Sequence, residues 1–121
     1  MQTDRQKNAI VDLTFEFSLA IIEFTEELES LRKYNLANQL FRSGTSIGAN
    51  VREAQNAESR ADFIHKMKIS AKEADETKYW IDLCKKAKSY PTPTLLSNQI
   101  EIILKVLNKI IGTTKRTTWR R

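Results

Sequence analysis

Three glycines, two prolines, one cysteine and one histidine are all that this chain of 121 residues contains of four types on which many folds and sites depend. The lone Cys84 excludes an intrachain disulfide and fits a reducing compartment. The lone His65 excludes most metal and acid–base constellations. Asp62-Phe-Ile-His65 places a carboxylate and an imidazole one helical turn apart, half of what a bundle di-metal centre uses. A second Glu-x-x-His is missing, so neither a metal nor a cofactor is expected. Scarce glycine and proline leave few turns and long regular elements. No apolar run reaches the length of a membrane span and no signal-peptide core opens the chain, so a cytoplasmic protein without a membrane partner is expected.

What is present suits a helical globular domain: 40% hydrophobic and 29% charged residues. The net charge of +5 is unevenly distributed. Residues 113–121, TTKRTTWRR, hold Lys115, Arg116, Arg120 and Arg121 and no acid. The other 112 residues carry 16 basic and 15 acidic side chains, so a nearly neutral domain ends in a basic tail. Its first segment is acidic, with Asp12, Glu16, Glu23, Glu26, Glu27 and Glu29 and no Lys or Arg between Asn8 and Leu31.

Hydrophobic spacing predicts four helices, at about 4–31, 35–56, 60–88 and 93–111. Thr3-Asp-Arg-Gln6 has capping-box spacing, and Ile10, Leu13, Phe17, Ile21, Phe24 and Leu28 then recur every three or four residues. Asn35 is a candidate N-cap for the second helix, whose stripe is Leu36, Leu40, Ile47, Val51 and Ala54. Ser59-Arg-Ala-Asp62 caps a third, with Phe63, Met67, Ser70, Ala74, Thr77, Ile81 and Cys84 on one face. SYPTPT at 89–94 breaks the chain, Thr92 caps the fourth with Pro93 at its first position, and Gly112 is placed to stop it. The expected fold is all-α: residues 1–112 form an antiparallel up-down four-helix bundle and residues 113–121 a basic tail. The fourth helix carries a second stripe, Leu95, Ile102 and Val106, beside its core stripe. That stripe either widens the core face or buries against another copy of the chain.

The run Gly44-Thr-Ser-Ile-Gly48 matches the Gly-x-Ser-x-Gly of a hydrolase nucleophile elbow. An elbow requires a strand before the turn and an acid and a histidine after it, whereas LANQLFR precedes Gly44 and favours a helix. A phosphate loop would need Gly-Lys-Ser/Thr, and Ala49-Asn50 follow Gly48. No catalytic residue is therefore expected. Each glycine costs a helix interior about 1 kcal/mol relative to alanine, so the pair needs a packing reason. Gly44 and Gly48 share a face on which a neighbouring helix can approach closely. Ser46 and Asn50 can hydrogen-bond across that contact or back to a helical carbonyl. Arg42 and Arg52 flank the strip, either as solvated charges or as members of paired charges in an assembly, and they join the tail cations as candidate nucleic-acid-binding residues. The tail residues Lys115, Arg116, Trp119, Arg120 and Arg121 combine four cations with an indole that can stack on an unpaired base, though short basic termini are also common without a ligand.

Between Asn38 and Leu83 the chain resembles the bacterial four-helix-bundle proteins linked to 23S ribosomal RNA intervening sequences. The resemblance rests on Gln39, Leu40, Arg42, Ser46, Ile47, Asn50, Val51 and Glu53, then Phe63, and more loosely Ala71, Glu73 and Glu76. Ala54 stands where the family often has glycine. The resemblance implies a protomer that assembles as a ring, typically a pentamer around a central channel, and no enzymatic activity. Related proteins are accessory factors of diversity-generating retroelements that contact RNA and a reverse transcriptase. The implied partners are the chain itself and RNA or a nucleic-acid enzyme; the alternative is a protein-binding scaffold without nucleic-acid affinity.

Overall fold

A computed structural model describes residues 4–116, with side-chain environments from Ala9 onward. Four helices account for nearly all of this range: α1 (Asp4–Ser30), α2 (Tyr34–Ala54), α3 (Arg60–Lys86) and α4 (Thr94–Arg116). No strand occurs among the described residues. Each helix packs against its neighbour in sequence and α1 also packs against α4, whereas no Cα atoms of the diagonal pairs come within 8 Å among the described residues. The result is a four-helix bundle with one shared core. Ile10, Phe17, Ile21 and Leu28 from α1 meet Leu40, Ile47 and Val51 from α2 in that core. Phe63, Met67 and Ile81 from α3 and Ile100, Ile103 and Leu107 from α4 complete it. Full burial of each such side chain contributes about 1.5–3 kcal/mol, far more than helix propensity alone supplies.

The connections are short because the helix ends are satisfied locally. At the end of α1, Lys33 N–H donates to Leu28 O (2.8 Å) and Arg32 N–H to Glu29 O (2.9 Å). Arg32 takes a left-handed φ of 62°, the place glycine usually fills in this C-terminal motif. The chain then enters α2 directly at Tyr34, so Asn35 lies inside the helix and is not its cap; Lys33 holds the cap position without a side-chain bond. Ser59 begins α3 as its spacing predicts: extended backbone, with Oγ accepting from Asp62 N–H at 3.0 Å. Ahead of α4, Pro93 O accepts from Ser97 N–H at 2.9 Å, which places the proline just before Thr94 instead of inside the first turn.

Gly112 does not stop α4. No glycine has positive φ, and the helix continues past its expected end at Ile111 to Arg116, with Thr114 buried. Thr114 satisfies its hydroxyl by donating to Ile110 O at 2.8 Å. A further buried residue beyond the glycine holds the helical phase, and Lys115 and Arg116 become helical residues instead of tail. Thr3 of the proposed first cap, and Trp119, Arg120 and Arg121, lie outside the described residues.

Candidate functional site

The small-residue strip on α2 faces α1. A Cβ added to Gly44 would stand 2.7 Å from Cδ1 and from Cγ1 of Ile21, and one on Gly48 would stand 3.3 Å from the Thr14 carbonyl oxygen. Both glycines therefore remove volume at the α1–α2 contact, and both keep helical φ. Ser46 and Asn50 bond within their own helix: Ser46 Oγ donates to Arg42 O (2.6 Å) and Asn50 Nδ2 to Ser46 O (2.8 Å). Ser46 thus gives its hydroxyl proton to a backbone carbonyl, and no acidic or basic side chain bonds it among the described residues.

The buried hydrogen bonds between α2 and α3 come instead from hydroxyls that interrupt the apolar pattern. Ser70 Oγ donates to Ile47 O at 2.9 Å, and Thr77 Oγ1 lies 2.9 Å from Ser43 Oγ, all four residues being buried. Glu53 and Lys66 pair at 3.1 Å further along the same seam. The partners run in opposite order along the two helices: 43 with 77, 47 with 70, 53 with 66.

Arg42 is engaged, not free. Its guanidinium reaches Glu76 Oε2 and, at 3.4 Å, Glu73 Oε1. Hydrogen bonding to Arg42, with a second bond from Trp80 Nε1 at 3.0 Å, holds the Glu76 carboxyl below its ordinary value. The same bond to Glu76 raises the Arg42 guanidinium. These groups are solvent-accessible, so their contribution to stability is small. Their effect is to orient Trp80, whose ring meets Tyr79 edge-on at 5.1 Å and 62°. Arg52 lies over the Phe15 ring at 5.9 Å.

The surface divides by charge. Asp12, Glu16, Glu23, Glu26, Glu27 and Glu29 are exposed on α1 and form no ion pair among the described residues. Phe15, Leu19 and Ile22 stand exposed between these acids. On α4, Leu95 and Ile102 are 63% and 51% exposed, whereas Val106 is partly buried against the core. Gln99 Oε1, between Leu95 and Ile102 on that helix, is buried with no hydrogen-bond partner among the described residues. Where α3 meets the end of α4, the exposed Lys68 and Lys115 are neighbours, and the nearby cation holds Lys115 below its ordinary lysine value. Lys72 follows Lys68 one turn along α3, Arg116 follows Lys115, and none of the four has an ion-pair partner among the described residues.

Other features narrow the chemistry. No three His, Cys, Asp or Glu side chains converge among the described residues, and His65 is exposed. Cys84 is buried and its thiol lies 3.3 Å from Pro91 O; burial, then the charge of Glu27, pushes its pKa up to about 11. None of the described helices is long and apolar enough to cross a membrane. A concavity of about 740 Å³ opens between the first turns of α2 and the end of α3, with Leu36, Trp80, Leu83 and Tyr90 in its wall. Sequence periodicity could not indicate it, because it combines residues from two helices and the loop after α3.

This arrangement defines an all-α bundle whose polar residues serve packing and surface charge. The chain belongs to the 23S rRNA-intervening sequence protein family, whose profile matches residues 6–109. A similar solved structure is that of a protein with unknown function from the S23 ribosomal protein family of Bacteroides thetaiotaomicron. It is 39% identical, the match covers 88% of this chain and 98% of that one, and the TM-score is 0.83. No curated protein matches the chain. Of the residues that carried the resemblance, Arg42, Glu73 and Glu76 form one charged network and Ile47 and Val51 lie in the core. The signature therefore describes how α2 and α3 fit together.

Proposed function

We propose that the chain is a non-catalytic accessory protein that associates with RNA or a nucleoprotein, built as an antiparallel up-down protomer and assembled as a homo-oligomeric ring, on the family pattern a pentamer. The observation that carries the RNA reading is that Lys68, Lys72, Lys115 and Arg116, where α3 meets the end of α4, form no ion pair among the described residues, with Lys68 and Lys115 as close neighbours. Neighbouring ammonium groups are stabilised by an anion, and a phosphate backbone supplies anions in series. Lys72 and Arg116 extend the surface, and Trp119, Arg120 and Arg121 continue it in sequence. Arg42, spent on Glu73 and Glu76, contributes little to such a surface. The acidic and apolar face of α1 with Leu95 and Ile102 is the surface through which copies meet.

Binding of a 23S rRNA fragment containing an intervening sequence, measured by fluorescence anisotropy across salt concentrations, tests this reading. Lys68→Gln with Lys115→Gln is expected to weaken binding and to lower the slope of log K against log salt by roughly 1.4 to 1.8, about 0.7–0.9 per lost phosphate contact. An unchanged slope removes this surface from the site. Absence of RNA affinity favours the second reading, a protein-binding scaffold, which the pairing of Arg42 and the near-neutral bundle support.

A further inference from the structure

We infer that the groove between α2 and α3 is a binding site for a single unpaired nucleotide, an inference that rests on the RNA reading above but concerns a different surface from the lysine pair. Three properties distinguish this groove of about 740 Å³ from a general apolar contact. The first is that its aromatic wall is held in place. Trp80 is fixed by its bond to Glu76 and by the edge of Tyr79, and Tyr90 lies under Lys33 Nζ at 4.8 Å while that amine bonds Ser89 Oγ at 3.1 Å. Rings restrained before a ligand arrives present flat surfaces for a base at low entropic cost.

The second property is unspent hydrogen-bonding capacity. Asn35, Asn38 and Gln39 line the groove, and none makes a side-chain hydrogen bond to another described residue. Each carboxamide offers a donor and an acceptor, the pair that the edge of a nucleobase requires. An aliphatic helix from a protein partner would leave all three amides unsatisfied, at a cost in desolvation.

The third is charge. No carboxylate lines the groove, and Lys86 does. Arg32, Lys33, Lys85 and Lys88 stand in the adjoining turns, and the start of α2 has neither an acid in its first turn nor a side-chain cap. Lys86 and the positive end of the α2 dipole therefore favour a phosphate at one edge of the pocket that takes the base. A base between Trp80 and Tyr90, with its edge on the amides and its phosphate at Lys86, uses the three carboxamides and the one cation of the wall. Leu83, 42% exposed beside Trp80, is covered in the process.

The test uses the full chain carrying Trp119→Phe, so that Trp80 is the only indole. Hexa-adenylate, an abasic hexamer with the same phosphates, and a twelve-base-pair RNA duplex are titrated separately, with the long intervening-sequence RNA as reference. Hexa-adenylate is expected to quench Trp80 emission and the abasic hexamer is not. Lys86→Glu and the pair Asn38→Ala with Gln39→Ala should each weaken hexa-adenylate at least tenfold while leaving the melting temperature within a few degrees. Hexa-adenylate binding with Trp80 emission and Lys86→Glu affinity both unchanged overturns the groove and leaves the RNA reading standing. Binding of the long RNA or the duplex alone, without hexa-adenylate, overturns the groove in the same way. Failure of every RNA, with the wild-type chain as with the Trp119→Phe chain, overturns both readings. If Lys86→Glu changes the mass of the native assembly, the groove is a contact between copies and the inference is wrong.

Discussion

Replacing Gly44 by alanine should destabilise this protein, although alanine is the better helix former by about 1 kcal/mol. The new Cβ would stand 2.7 Å from Cδ1 and Cγ1 of Ile21 and 3.2 Å from Cγ2, well inside ordinary contact. Ile21 is fully buried, so its side chain has no open space to turn into. Overpacking of this kind costs about 1–3 kcal/mol, which leaves a net loss of up to about 2 after the helical gain. At about 2.1 cal/mol/K per residue, unfolding 121 residues carries an entropy near 250 cal/mol/K, so each kcal/mol moves Tm by about 4 °C. A fall in Tm of up to about 8 °C is therefore expected, against a rise of about 4 °C for an unobstructed helical glycine. Ile21→Val removes Cδ1, one of the two closest atoms, at its own cost of about 0.5–1.5 kcal/mol. The double variant should then be more stable than the sum of the singles predicts, by about 0.5 kcal/mol or more. The measurement is thermal unfolding followed by circular dichroism at one fixed protein concentration, because assembly would make Tm depend on concentration. A higher Tm for Gly44→Ala, or additivity within about 0.3 kcal/mol, refutes the close approach of α1 to α2.

Leu95→Glu with Ile102→Glu should convert the oligomer to protomers in native mass spectrometry without unfolding them, since both side chains are at least half exposed; a wild-type monomer at micromolar concentration would remove the assembly altogether. Cys84 should resist alkylation: a thiol at about 11 in the fold, against 9.0 as its ordinary value, holds about a hundredfold less thiolate at pH 8. Because the folded value is raised, this group's contribution to stability is complete below pH 9 and is lost as pH rises toward 11, and rapid labelling of the native protein at pH 8 would contradict the burial.

The helices were legible because long apolar stripes at a period of 3.6 leave little freedom in a chain with few glycines and prolines. Ser59 was legible as a cap because its bond to Asp62 N–H is local. Gly44 and Gly48 were legible as a close contact, but not the helix that meets them, since sequence carries no direction for a face. Gly112 misled for a physical reason: glycine is permitted at a helix end and not required there, and burial of Thr114 kept the helix intact. Arg42 looked like a surface cation because Glu73 and Glu76 stand on another helix more than thirty positions away. Ser43, Ser70 and Thr77 were visible only as gaps in apolar stripes. Those gaps are the signal in the sequence for the buried hydrogen bonds between α2 and α3.

The division of charge across the protomer has a consequence before any contact forms. Uncompensated acids along α1 and uncompensated cations where α3 meets α4 give the protomer a permanent electric moment across its width. A moment of this kind exerts a torque during diffusion, so a polyanion or a second copy arrives already turned toward its complementary side. The effect reaches only about 8 Å at physiological ionic strength and about 30 Å in dilute buffer. Encounter rates, more than final affinities, are where this asymmetry acts.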